Sequence, residues 1–158
     1  MALQSTTALA TITLQEASAT VEFSGIPDTY RDLILVANFS TTTVYDIIWL
    51  NINGGHSGSA VGFRGNGSTA VGYTLGSLYL HYAGGTTLTP EVGIAEIIDY
   101  SATDKHKTIL VRSDNPASKS EAIAQRWAST NAVTSVGVEC SSYEFSPGST
   151  FSLYGRIA

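Results

Sequence analysis

Three histidines, one cysteine and thirteen acidic residues are the side chains of this 158-residue chain best suited to chemistry. Nucleophilic catalysis needs a base within hydrogen-bond reach of the nucleophile and a third group to orient that base. His56, His81 and His106 each sit in a different segment. Gly55-His-Ser-Gly-Ser59 superficially matches a G-x-S-x-G elbow, but its last position is Ser and no strand-to-helix turn is expected there. Cys140 has no second thiol for a disulfide or a zinc site, so it reads as a small buried hydrophobe. There is no H-x-x-x-H pair and no Asp-rich twelve-residue calcium loop. Asp99 and Asp104 flank a turn and read as solvated carboxylates ahead of a shared calcium site. Nothing singles out a carboxylate pair for glycoside cleavage. Gly65-Asn-Gly67 lacks the Lys and the helix of a phosphate loop and reads instead as a tight turn, with Phe63 and Val71 flanking a hairpin tip. No catalytic residue, cofactor or metal ligand is assigned, and the expectation is a protein that is not an enzyme.

Aromatic residues offer a different kind of site. In the strand expected over residues 75–82, Tyr79 and His81 lie opposite Leu78, Leu80 and Tyr82, so one of the two sets is expected to face outward. Such a patch could stack on a sugar, form the centre of a subunit contact, or simply fill the core. The candidate contact residues are therefore Tyr73, Tyr79, His81 and Tyr82, together with Leu3 near the N-terminus.

The elements that position these residues read almost entirely as strands. β-branched and aromatic runs fill residues 9–14, 19–23, 30–37, 46–52, 75–82, 92–100, 106–112, 123–128, 133–140 and 150–156, with Gly, Pro, Asn, Asp and Ser between them. No window makes a convincing helix. Short strands at this spacing point to one all-β domain, a single antiparallel β-sandwich or jelly roll over residues 9–158, preceded by an arm over 1–8 that is either free or an added strand. Leu33-Ile-Leu-Val-Ala37 and Ile47-Ile-Trp-Leu50 are apolar on both faces and are expected to be central and covered on both sides. Residues 53–74, rich in Gly, read as a long loop or a loosely paired hairpin. The last strand, with Phe151, Leu153 and Gly155 alternating against Ser152, Tyr154 and Arg156, is expected to be fastened into the core.

Charge narrows the partners. Charged residues are only 13% of the chain, about half the usual share, and the net charge is −5 with no basic cluster. Nucleic acid and anionic membranes are not expected partners. No stretch reaches the length of a membrane span and the first residues lack a secretion signal, so folding in a cytoplasm is expected.

Three stretches together carry a resemblance. Ile26-Pro-Asp-Thr-Tyr-Arg-Asp-Leu-Ile-Leu-Val36 contains Pro27 and Tyr30 ahead of a central strand. Asn53-Gly54 is followed by Gly65-Asn-Gly67-Ser68. Trp127-Ala-Ser-Thr-Asn-Ala-Val-Thr-Ser-Val136 is followed by Gly148-Ser-Thr-Phe-Ser-Leu153-Tyr154-Gly155. In order and spacing, over residues 20–158, this set resembles the small β-sandwich virion structural proteins of tailed bacteriophages. Asp28 and the apolar Ile34 depart from that pattern. The resemblance implies a fold and a setting without an active site: a capsid decoration, or cement, protein that binds the major capsid protein and stabilises the head shell. A homo-oligomer, with a trimer favoured, located on the capsid surface and assembled in the host cytoplasm, is the corresponding expectation. The alternative is a tail or fibre component that binds host surface glycans. With Met1 so near the first strand, the sandwich is expected to be the whole protein, which favours the cement role.

Overall fold

The computed structural model describes residues 5–84, 89–115 and 119–157, and every regular element among them is a β-strand. In chain order these are β1 (Thr6–Thr13), β2 (Thr20–Ser24), β3 (Asp32–Phe39), β4 (Tyr45–Ile52), β5 (Ser57–Gly65) and β6 (Ala70–Ser77). They are followed by β7 (Tyr79–Gly84), β8 (Glu91–Ile98), β9 (Lys107–Asn115), β10 (Lys119–Trp127), β11 (Ser135–Cys140) and β12 (Thr150–Arg156). Two antiparallel sheets result: an eight-stranded sheet in the order β1-β12-β3-β8-β9-β10-β5-β6 and a four-stranded sheet in the order β2-β11-β4-β7. The expected all-β sandwich is the observed architecture.

The topology has a simple logic. Leaving out β5, β6, β9 and β10, successive strands alternate between the sheets except β4 and β7, which pair within the smaller one, giving β1-β12-β3-β8 over β2-β11-β4-β7. This is the double Greek-key order of a jelly roll. The four remaining strands extend only the larger sheet, as a wing beyond β8.

The core lies between the sheets. Leu33, Leu35 and Ala37 of β3, Ile48 and Leu50 of β4, Val136 and Val138 of β11, and Phe151 and Leu153 of β12 are all buried. Removing that much aliphatic surface from water is the main force holding the layers together. Phe39, Phe145 and Phe151 add edge-on ring contacts at one end, with centroids 5.5 Å apart for Phe39–Phe145 and 5.0 Å for Phe145–Phe151. The terminal strand behaves as its alternation requires: β12 pairs with both β1 and β3, and Phe151, Leu153 and Gly155 point inward. Cys140 is buried among these residues, as its isolation in the sequence suggests.

Several expectations need correction. The expected strand over 75–82 is two strands in different sheets. The chain bends at Leu78, whose N–H donates to His56 O at 2.6 Å and whose carbonyl accepts from Leu50 N at 3.3 Å. Gly76-Ser77, read through as strand, immediately precede this crossing, and the buried Leu78 side chain anchors it. The stretch 53–74 takes the hairpin alternative of its two readings: it holds β5 and the first part of β6, paired over most of their length, and Gly67 sits at the tip with φ +88°. Asn66 Oδ1 closes that tip by accepting from Ser68 N at 3.0 Å and Thr69 N at 2.8 Å. β1 starts at Thr6, inside the expected arm over 1–8. β3 is not covered on both sides: Ile34 and Val36 lie on the outer face of the large sheet, where no second layer sits. In β4, Ile47 and Trp49 are likewise only half-buried.

Candidate functional site: an uncovered apolar face and a buried polar cluster

Two groupings of side chains stand apart from the ordinary core. The first is enclosed where β7 passes under the wing. His81 of β7 projects between the sheets and is fully buried, as is the edge of Phe39 that packs on it at 5.9 Å between centroids. Its Nε2 lies 2.7 Å from Glu91 Oε2 of β8, off the line of a hydrogen bond, and its Nδ1 lies 3.9 Å from Glu121 Oε2 of β10. Asn115 donates from Nδ2 to Glu91 Oε1, and Ser113 Oγ lies 3.5 Å from Glu121 Oε2. Lys119 Nζ stands 3.8 Å from Glu121 Oε1 and 4.0 Å over the ring of Tyr82.

A histidine between two carboxylates is the usual material of acid–base chemistry, which requires a substrate atom within hydrogen-bond reach. Here the side chains of His81 and Glu121 have no exposed surface. Among the described residues, no group of three or more His, Cys, Asp or Glu is arranged to hold a metal ion. What the cluster does is join the sheets. Removing any one member of such a buried polar cluster would leave its partners stranded away from water, which is strongly destabilising.

Gln125 completes the same junction. Its Oε1 accepts from Tyr79 N at 2.6 Å and its Nε2 donates to Tyr79 O at 2.7 Å, so one side chain of β10 satisfies both backbone groups of the residue where β7 begins. Burial, reinforced by the charge of Glu121, raises the Tyr79 hydroxyl far above its ordinary pKa, and the same two causes push Tyr73 up to about 12. The expected outward set of β7 is thus absent: Tyr79 and His81 are buried, and Leu78 and Leu80 are too. Tyr73 and Tyr82 are half-buried. The structure gathers Tyr73, Tyr79 and His81 near Glu121 and seats Tyr82 under Lys119, with Tyr79 and His81 enclosed and Tyr73 and Tyr82 half-buried. Leu3 lies outside the described residues.

The second grouping is the outer face of the eight-stranded sheet. Strand register places Phe63, Ala122, Arg112, Ile94, Val36 and Ser152 in one row across β5, β10, β9, β8, β3 and β12. The next row in one direction is Val61, Ala124, Leu110, Glu96, Ile34 and Tyr154. The row in the other direction is Gly65, Ser120, Asp114, Val92, Asn38 and Thr150. Phe63 is 66% exposed, Val61 49%, Leu110 46% and Val92 38%, which is unusual for large apolar side chains gathered on one face. Beside Phe63 lies a shallow, mainly apolar hollow of about 510 Å³, floored by Ala122, Val92 and Ile94.

The charges on this face largely cancel. Arg112 reaches Glu96 at 3.0 Å, Arg156 reaches Glu96 at 3.2 Å and Asp32 at 2.8 Å, and Arg31 reaches Asp32 at 2.7 Å. Burial of Asp32 favours its neutral form, but hydrogen bonds from Arg31, from Asp99 N–H and from Arg156 outweigh that and hold its carboxyl below the ordinary value.

The motif residues are structural. Pro27 O accepts from the Tyr100 hydroxyl, the Tyr30 ring lies flat against Gly155, and Gly148 turns the chain into β12 with φ +86°. Gly65 ends β5, Trp127 carries Lys107 Nζ 5.8 Å above its ring, Leu153 is core and Tyr154 is on the outer face. Asp99, read above as a solvated turn carboxylate ahead of a calcium ligand, pairs with the exposed Lys105 at 2.6 Å. Sequence reasoning missed the outer-face residues Val61, Phe63, Val92 and Leu110. It also missed the inward polar residues Glu91, Glu121 and Gln125.

The class defined at this point is an antiparallel β-sandwich of jelly-roll order with a one-sided wing. Comparison with family models, curated proteins and solved structures finds no match to this chain.

Proposed function

We propose that the protein works by adhesion, as a structural component of a bacteriophage particle, with decoration of the head shell as the leading role. The reading rests above all on the outer face of the large sheet, where Phe63, Val61, Leu110 and Val92 remain exposed beside internally neutralised charges. A face of this composition gains free energy by being covered. The resemblance in the Pro27–Tyr30, Gly65–Gly67 and Trp127–Gly155 motifs supplies the setting, and jelly-roll sandwiches are a recurrent architecture of capsid proteins. That last support is analogy at the level of fold. The partner on the shell is the major capsid protein. Each copy stabilises the lattice by adding contacts that exist only in the assembled state.

The glycan-binding alternative draws on Tyr73, Tyr79, His81 or Tyr82; Tyr79 and His81 are buried and only the half-buried Tyr73 and Tyr82 offer it any surface, which favours the cement role. The test compares particles assembled with and without the protein during a heating ramp with a DNA-binding dye outside. Earlier DNA release from particles lacking the protein is the expected result. Release at the same temperature in both preparations would refute the cement role.

A further inference from the structure

We infer that β6, the free edge of the eight-stranded sheet, pairs with β6 of a second copy, antiparallel about a twofold axis that stands perpendicular to the sheet beside Tyr73. An open strand edge carries unpaired N–H and C=O groups and is a template for another chain, so proteins blunt such edges with bulges, short strands, charges or cover. Among the described residues, three of the four edge strands are blunted. β1 carries its own bulge, the extra residue lying between Ala8 and Ala10 opposite Tyr154 and Leu153 of β12. β2 is five residues long and exposes Glu22 at its middle. β7 lies under the wing, with Gln125 engaging both the N–H and the carbonyl of Tyr79.

β6 has none of these devices. Ala70–Ser77 holds no Lys, Arg, Asp, Glu or Pro, and Ala70, Val71, Gly72, Thr74 and Gly76 are exposed. The irregularity in its pairing with β5 falls on the β5 side, between Ser57 and Ala60, so the register from Ala70 to Leu75 is unbroken.

The segment is also complementary to itself. A perpendicular twofold keeps each face of the sheet on its own side, and opposite residues share a face, so the axis must pass beside a residue rather than between two. Placed at Tyr73, it sets Val71 against Leu75 of the second copy, Gly72 against Thr74 and Ala70 against Gly76, each pair occurring twice. Val71, 49% exposed, thereby gains an aliphatic cross-strand neighbour. The axis is unobstructed because the Tyr73 ring leans back over β5: a Cβ built on Gly62 would lie 2.6 Å from Tyr73 Cζ. The same axis leaves the outer faces of both copies uncovered and on one side, where Phe63 and its neighbours keep the adhesive role proposed above. The pairing is independent of that role, and it assigns a dimer where the resemblance implies a trimer.

A single strand pair is at the small end of specific interfaces, so sedimentation velocity of the full chain should run from about 10 µM to about 1 mM. The expected species at the upper end has twice the 16.6 kDa chain mass. Thr74→Lys, at an exposed position of the strand, is expected to weaken association about tenfold with an unchanged far-UV spectrum. Oxidative cross-linking reads the register, since the native thiol of Cys140 is buried. In this pairing Thr74 and its copy stand about 8 Å apart, too far for a disulfide, whereas Gly72 lies directly opposite Thr74 of the second copy at about 5 Å. A Cβ on Gly72 meets the Phe63 ring at an ordinary 3.5 Å, so a side chain fits there. Gly72→Cys mixed with Thr74→Cys is therefore expected to give a disulfide-linked dimer that neither variant gives alone. A monomer at the highest concentration, association indifferent to Thr74→Lys, or a mixture that cross-links no better than its single variants overturns the β6 pairing. None of these readouts involves particles, so a failed pairing leaves the adhesive reading to its own test.

Discussion

Gly155→Ala tests the packing of the terminal strand at a single carbon atom. A Cβ built on Gly155 would lie 2.3 Å from Cγ, 2.5 Å from Cδ1 and 2.6 Å from Cδ2 of Tyr30, all far inside van der Waals contact. β12 cannot retreat, because it is hydrogen-bonded to β1 on one side and β3 on the other. The ring must move instead and give up its seat on the strand, an overpacking cost of about 1–3 kcal/mol. Against this stands a gain of about 0.4–1 kcal/mol from restricting the unfolded chain. The net expectation is about 1–2 kcal/mol of destabilisation, or a Tm lower by about 2–8 °C for a chain of this size. In a Tyr30→Ala background the obstacle is gone, so the same substitution should become neutral or stabilising. The assay is thermal and urea unfolding of the four proteins of this double-mutant cycle. A Gly155→Ala cost that is the same with and without Tyr30 would refute the reasoning.

Four further outcomes follow from the same structure. Gln125→Ala strands both backbone groups of Tyr79 in the interior and should cost about 2–4 kcal/mol in urea unfolding; a loss below about 0.5 kcal/mol would contradict the clamp. Asp46 accepts from Ile47 N at 2.7 Å, Ser141 N at 3.1 Å and Tyr143 N at 3.0 Å, so Asp46→Ala should cost about 2–4 kcal/mol and loosen amide protection at 141–143 by hydrogen exchange. The Asp32 carboxyl is held below its ordinary value, so its contribution is complete above about pH 4 and is lost as pH falls through the lowered value. Tm measured from pH 7 to pH 2 should therefore drop less steeply at the acid end in Asp32→Asn than in the native protein. Burial, with Asp46 nearby, raises the Cys140 thiol well above its ordinary value, so a thiol reagent at pH 8 should label Cys140 only after unfolding.

Much of this fold is legible in the sequence because β-branched residues alternate with small polar ones. The terminal strand is the clearest case: residues 150–156 read as a strand and form β12 over the same span. The jelly-roll pairing itself is long-range, joining Thr6 to Arg156 and Phe23 to Val136, and no local pattern specifies it. The bend at Leu78 has a local signal in Gly76-Ser77, but the apolar run Leu78-Tyr79-Leu80 that follows continues the strand pattern across it, and the bend itself is stabilised by burial of Leu78. β10 misleads in another way. Its alternation is clear, but Glu121 and Gln125 face inward with Ile123, while Ala122 and Ala124 face out. Assigning polar residues to the surface would invert that strand, because Gln125 is satisfied by the backbone of Tyr79 on β7 and Glu121 faces His81 on β7 and Ser113 on β9. The two-faced apolar character of Leu33-Ile34-Leu35-Val36 reads as cover on both sides, yet the structure covers only one. One side is the core; the other is the open face from which the functional proposal is drawn.

The most direct test of that proposal is a reconstruction of intact particles at a resolution that resolves individual subunits. The account predicts density for this sandwich at symmetric positions on the head shell. Particles whose heads carry no such density, or in which the protein occurs only on the tail, would contradict it.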